Sequence, residues 1–301
     1  MLVLLALGRV DLLGGAAFGA FTAIYGRDVT VPARTRIHVV AAAGLVVSVA
    51  IGLLAAGLPA SPWLALLVLL AVAVAATVAG EVVGWKPGGP LFFVFAAGAF
   101  ATAPPVGVEV GLQIVATVAG AAVFSVLVGS AGAVVRTHVR TPLPALVPLR
   151  TALRRELVLE VLMACALTAP LAVLLGVDHL YWALVSAVVP LSVSGSRARM
   201  TRGLSRIAGT FAGLAVAAGL LALHLPAWGI VLAAVVLQAA AELFVLRNYA
   251  LALLFITPLA LVVGSAMHPA DVTGLVTDRM LATVVGVLVA LGVLALRARR
   301  R

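Results

Sequence analysis

The stretch YWALVSAVVPLSVSGSRARMTRG, residues 181–203, joins an apolar run of about a dozen residues to a Ser-Gly-Ser turn and a basic cluster. Arg197, Arg199 and Arg202 follow the turn, and Arg206 lies just beyond it. Only 10% of the chain is charged, so this is a local concentration of charge. An apolar run that ends in arginines is typical of a membrane segment that reaches the cytoplasmic surface. The stretch therefore predicts membrane-embedded helices.

The composition of the whole chain supports the same fold class. Of its 301 residues, 64% are hydrophobic, and the mean hydropathy is +1.25. Apolar runs at 37–58, 64–80 and 281–296 approach the ~20 residues that cross a ~30 Å hydrocarbon core as a helix. None alternates as a lipid-facing barrel strand does, and lipid offers no partner for an unpaired backbone amide. We therefore predict an all-α, polytopic transmembrane helical bundle that lies in the lipid bilayer.

Charge placement predicts the topology. Short turns rich in Pro or Gly separate twelve apolar segments, six on each side of a basic linker at 136–156. If every segment spans, 18 of the 20 basic residues lie on one face, which predicts a cytoplasmic linker and C-terminus. The net charge of +10 then needs no nucleic-acid partner. The segments lie at about 1–8, 12–25, 37–58, 62–83, 90–103, 107–134, 157–176, 180–194, 203–223, 227–246, 248–266 and 275–296.

The two halves repeat each other. Arg36-Ile37 matches Arg206-Ile207 and Glu81 matches Glu242, with further matches in the same order. The chain is therefore predicted to hold two parallel six-segment repeats, 1–135 and 157–301, with about 11–12 membrane segments. Eight apolar residues cannot cross a bilayer, so the first repeat is predicted to be N-terminally incomplete, through truncation or a miscalled start codon.

Two features predict a substrate path. Pro190 interrupts the short segment 180–194, and broken segments at matching places in two repeats point to a binding site between them. Arg199, Arg202 and Arg206 follow the spacing i, i+3, i+7, so they line one helix face that could attract carboxylates. The alternative for the broken segment is ordinary helix packing through small residues. The alternative for the arginines is anchoring at the membrane surface.

A turn and its flanking aromatic residues predict an outer gate. Tyr181 and Trp182 could stack on a substrate ring, while Asp178 or His179 handles a proton. An interfacial aromatic belt is the alternative.

Another candidate group lies near the predicted inner ends of the segments at 227–246 and 248–266. Glu242 and Arg247 are predicted to form a proton- or substrate-coupling pair, with surface ion pairing or contact with lipid headgroups as the alternative. The next segment adds Asn248, Tyr249, Thr257 and Pro258, and the proline would free the carbonyl of Leu254 to face a pore or Thr257.

The remaining chemistry is sparse. Arg279 follows Asp278 directly and is interpreted as either a snorkelling residue or an outer anion contact. The histidines are scattered, Cys165 is the single cysteine and no Walker A motif occurs, so no metal site, cofactor or ATP hydrolysis is predicted. Acids do not cluster at catalytic spacing, which argues against an enzyme.

Two stretches resemble the fusaric acid resistance protein-like (FUSC) and aromatic acid exporter family of bacterial inner-membrane proteins. Residues 178–216 are similar to its Tyr-Trp-Ala segment with a basic turn, and residues 242–261 to its Arg-Asn-Tyr-Ala and Thr-Pro segment. The resemblance implies efflux of aromatic or other small organic anions, passive or driven by the proton motive force, by a homodimer. The alternative is an accessory membrane subunit that transports nothing alone.

Overall fold

A computed structural model describes residues 1–27, 29–58, 61–135, 146–153, 155–267 and 272–298. Of these residues, 83% are helical, and no strand occurs among them. The all-α class is therefore confirmed. Most of the predicted linker at 136–156, including Arg136, Arg140 and Arg154, and the terminal arginines 299–301 lie outside the described residues.

Thirteen α-helices fill the described ranges, and their bounds follow the predicted apolar segments closely. Short 3₁₀ turns at Val10–Leu12, Phe21–Ile24 and Pro190–Ser192 extend two of them. The helices are α1 Leu2–Ala6, α2 Leu13–Ala20, α3 Val31–Ala56, α4 Pro62–Val83, α5 Leu91–Ala101, α6 Val108–Val135, α7 Leu149–Ala152, α8 Arg155–Leu174, α9 Leu180–Val188, α10 Ser196–Ala222, α11 Ala227–Phe244, α12 Tyr249–Met267 and α13 Val272–Ala298.

Seven of the described helices are long and apolar enough to cross a membrane, namely α3, α4, α6, α8, α10, α11 and α13. Shorter apolar helices cover Val10–Ile24, Leu91–Ala101, Leu180–Ser192 and Tyr249–Ser265. Seven long and four shorter helices make eleven apolar segments, which matches the lower predicted number. The first predicted segment is the five-residue helix α1.

Local sequence fixes where these helices begin and end. At the start of α4, Ser61 accepts a hydrogen bond from the Leu64 amide at 3.4 Å, and Pro62 supplies a φ suited to the first turn. At its end, Gly84 adopts φ 70°, a left-handed conformation that glycine reaches without steric cost. Such caps allow short turns between neighbouring membrane helices.

The same helix pairs pack together in both halves. The pair α2 and α6 corresponds in order to α9 and α13, and the pair α3 and α5 to α10 and α12. Glycine makes the tight pairs possible: a Cβ at Gly286 of α13 would collide with the Ala183 carbonyl of α9, and one at Gly213 of α10 with the Leu253 carbonyl of α12. Small residues allow such backbone approach in membrane bundles. The shared pairing agrees with the predicted duplication, which stays a prediction.

The two halves meet mainly through the shorter helices. Helix α5 packs on α9, α2 on α12, α4 on α8 and α1 on α11. An ion pair joins the halves as well, because Arg27 lies 3.3 Å from Glu242 of α11. We call the two ends of the bundle the His179 end, where α9 begins and α5 ends, and the Arg199 end, where α10 begins and α13 ends.

Candidate functional site

An aromatic cavity of about 220 Å³ lies between the two halves at the His179 end. All four shorter helices contribute to its wall. The rings pack on one another: Phe18 and Phe95 have centroids 5.1 Å apart, and Phe95 and Tyr181 lie nearly parallel at 6.1 Å. The aromatic and imidazole residues of the lining are Phe18, Phe21, Phe95, Phe100, His179, Tyr181 and Trp182.

The cavity mouth is organised by Asp278. Its carboxylate accepts hydrogen bonds from the backbone amides of Asp178 at 2.7 Å and His179 at 3.1 Å, and it lies 2.7 Å from the His179 Nδ1. His179 also stacks on Trp182 at 4.4 Å. The Asp178 side chain is exposed. The acid that contacts His179 is therefore Asp278 and not Asp178. The fold brings the start of α13 against this turn, and the local sequence around residue 178 does not encode that contact.

The three arginines of the predicted face have three different environments. Arg199 lies 3.0 Å from Glu160 of α8, beside a larger cavity of about 530 Å³ at the Arg199 end. The Arg202 guanidinium lies 3.7 Å from the centre of the Tyr249 ring, a cation–π contact. Arg206 is only 1% exposed, and hydrogen bonds from it reach the hydroxyls of Ser186 at 3.3 Å and Tyr249 at 3.4 Å. Deeper in the bundle, this face becomes buried.

A fourth arginine, Arg279, lies in the core, which the sequence did not predict. Arg279 is 1% exposed, with its guanidinium carbon 4.6 Å from the Trp182 ring centre and 5.7 Å from that of Phe95. It therefore neither snorkels nor contacts the outer surface. The predicted segment at 275–296 placed Arg279 near its start, whereas α13 begins at Val272, seven residues or about 10 Å before Arg279 along the helix.

Glu242 does not pair with Arg247, so an ion pair between them, one of the predicted alternatives, is not formed. Glu242 pairs with Arg27 of the other half and accepts a hydrogen bond from Gln238 at 2.9 Å. The Arg247 side chain is exposed. The physical reason is that Arg247 lies three residues past the end of α11, whereas Gln238 is four residues away on the same helix face as Glu242.

The predicted site residues in and before α12, and the proline that follows α9, occupy different structural positions. Asn248 caps α12 by accepting from the Leu251 amide at 3.1 Å. The Thr257 hydroxyl is buried without a hydrogen-bond partner, so its expected bond to the Leu254 carbonyl is not formed. Pro258 lies inside α12. Pro190 begins the 3₁₀ turn that follows α9.

The site and fold together define a class. The eleven apolar helices of the described residues enclose buried charges and an aromatic cavity, as in a polytopic membrane protein. Residues 164–293 match the family model described as "Fusaric acid resistance protein-like". The match covers the part of the chain from α8 to α13 and confirms the resemblance to that family over these residues. No curated protein and no solved structure shows significant similarity to the chain.

Proposed function

We propose that the protein exports aromatic or other small organic acids across the bacterial inner membrane. The observation that carries the proposal is the aromatic cavity where the four shorter helices meet. Ligand sites are concave and mostly apolar, with a few polar groups that fix orientation. In transporters built from repeats, they lie between the repeats and among interrupted helices. A cavity with stacked rings and buried arginines behind them suits an aromatic ring with a carboxylate.

The proposal includes an orientation and a driving force. Basic residues favour the cytoplasmic side, so the Arg199 end with the C-terminus faces the cytoplasm and the His179 end faces outward. Export is either passive or driven by the proton motive force. His179 is the titratable group best placed for proton coupling, because it lines the cavity and lies 2.7 Å from Asp278. The homodimer is a further prediction that rests on the family alone.

Export from whole cells tests the proposal. An efflux-deficient host loaded with benzoate and related aromatic carboxylates should lose them faster when it expresses the chain, and a protonophore distinguishes driven from passive export. Gly264 lines the cavity and has open space where a side chain would project. Gly264→Leu should therefore fill the cavity and slow export about fivefold or more.

The matched control is Gly219→Leu. Gly219 is also a helical glycine with open space around it, and it lies outside the cavity lining. Export should be unchanged in this variant at equal membrane levels. If export is unchanged in Gly264→Leu, the cavity is not the path of the substrate. No export by the intact chain would favour the non-transporting accessory subunit.

A further inference from the structure

Two arginines are buried in the second half without a carboxylate partner. Arg206 of α10 and Arg279 of α13 are each 1% exposed, and in the described part of the chain neither forms an ion pair. Asp278 precedes Arg279 directly, but its oxygens already accept from two backbone amides and contact His179. An uncompensated charge in the membrane interior is costly and marks function by default. The pair therefore needs a counter-charge.

The surrounding polar atoms show what kind of partner is missing. Buried nitrogens without a hydrogen-bond partner belong to Arg206 (Nη2), Arg279 (Nε and Nη1) and Trp182 (Nε1). The hydroxyls of Thr210 and Thr257 are also buried and unpaired. All of these residues lie on α9, α10, α12 and α13, the helices that pack together in the second half. The unpaired nitrogens are all donors, so the missing partner is an acceptor of hydrogen bonds.

Their arrangement connects this cluster to the aromatic cavity. Thr210 lies one helical turn after Arg206 on the same face of α10, and Thr257 packs against Gly213 of that helix. The Arg279 guanidinium lies over the rings of Trp182 and Phe95, and both of these residues line the cavity. A ligand ring in the cavity would thus share two neighbours with the buried donors.

Resting on the proposed export function, we propose that Arg206 and Arg279 form a buried binding site for the carboxylate of an aromatic monocarboxylate, with the Trp182 Nε1 as a further donor. Guanidinium is the cation best matched to a carboxylate, because its planar fork offers two parallel hydrogen bonds. Arg199 is excluded from this site because Glu160 already neutralises it. Arg202 lies between that ion pair and the buried site, over the Tyr249 ring.

Equilibrium dialysis of radiolabelled benzoate with the purified full chain in detergent tests the site directly. Benzoate should bind saturably, acetate should compete, and neutral benzamide should not. Arg206→Gln and Arg279→Gln should each weaken benzoate binding about tenfold or more, because each removes a charge-assisted contact. The matched control is Arg197→Gln, which removes an exposed arginine from the same helix α10 and should leave binding unchanged.

Each other outcome overturns the proposal. Unchanged binding in both glutamine variants would place the carboxylate elsewhere. Benzamide that competes as well as benzoate would show recognition of the ring alone. Chloride that binds where benzoate does not would make this an inorganic anion site. The comparison of benzoate with benzamide needs only the intact chain, so the test stands if a variant fails to fold.

Failure of this site can be distinguished from failure of the export function. Export by the intact chain that persists in Arg279→Gln would retain the function and reject the site. Benzoate binding without export in cells would retain the site and reject the function. Arg279→Lys adds a further readout, because it keeps the charge and loses the fork, and it should recover part of the affinity lost in Arg279→Gln.

Discussion

The carboxylate of Asp278 holds the turn between α8 and α9 through two backbone amides and the ring of His179. It is 8% exposed, so water does not replace these contacts easily. A carboxylate that accepts several hydrogen bonds in a buried setting contributes more to stability than a surface charge does. At the scale of single residues, this acid thus positions the mouth of the aromatic cavity.

Replacement of Asp278 by asparagine should therefore destabilise the protein. Asp278→Asn keeps the size of the side chain but removes its charge and one acceptor oxygen, at a cost of about 2 kcal/mol. The midpoint of thermal unfolding in detergent should fall by several degrees. Asp178→Asn is the control: the Asp178 side chain is exposed, and its contact with Asp278 uses the backbone amide. An equal effect of both substitutions would contradict this account.

At the scale of secondary-structure elements, close backbone contact fixes α13 against α9. A Cβ at Gly286 would meet the Ala183 carbonyl, the Ser186 side chain and the Ala187 amide together. Two of these three atoms belong to the backbone and cannot rotate away. The contact sets the depth at which Arg279 lies, since both residues belong to the same rigid helix.

A large side chain at this position should separate the two helices. Gly286→Leu should lower the free energy of unfolding by at least about 2 kcal/mol, because overpacking cannot be relieved by side-chain rotation. Gly292→Leu is matched in helix and chemistry, but open space surrounds Gly292. It should leave thermal stability unchanged. The measurement is again thermal unfolding of the purified chain, and equal stability of the two variants would refute the role of Gly286.

The bounds of the helices were predictable from the sequence, whereas the contacts between side chains of different helices were not. Hydropathy predicted a segment at 107–134 where α6 covers Val108–Val135, because the bilayer fixes the length and polarity of each span. Tyr181 and Trp182 were also singled out, because they follow the turn between two predicted segments, and both line the cavity. The contacts of Arg279 depend on which helices pack side by side, and no spacing within one segment encodes that.

At the scale of the whole molecule, Arg27 links the two halves. Its guanidinium lies 3.3 Å from the Glu242 carboxylate and also donates to the backbone carbonyl of that residue. Both side chains are partly buried, so the attraction is screened less than between surface charges.

A charge exchange tests this link. Arg27→Glu and Glu242→Arg should each destabilise the fold, because like charges then face each other across the junction of the halves. The double variant should recover part of the loss, and the coupling is measured from a double-mutant cycle of thermal stabilities. Arg247→Glu, at an exposed site, should not rescue Glu242→Arg. Strict additivity of the two single substitutions would show that the pair does not couple.

The glycine contacts of the second half have a mechanical consequence. They lock α9 to α13 and α10 to α12, which makes two stiff struts with the buried arginines along the seam between them. Arg206 reaches from one strut to Ser186 on the other through a 3.3 Å hydrogen bond, a contact far weaker than interlocked backbones. Sliding of one strut along the other would change the spacing of the two guanidinium groups. Binding of a carboxylate to both guanidinium groups would therefore be coupled to this sliding motion.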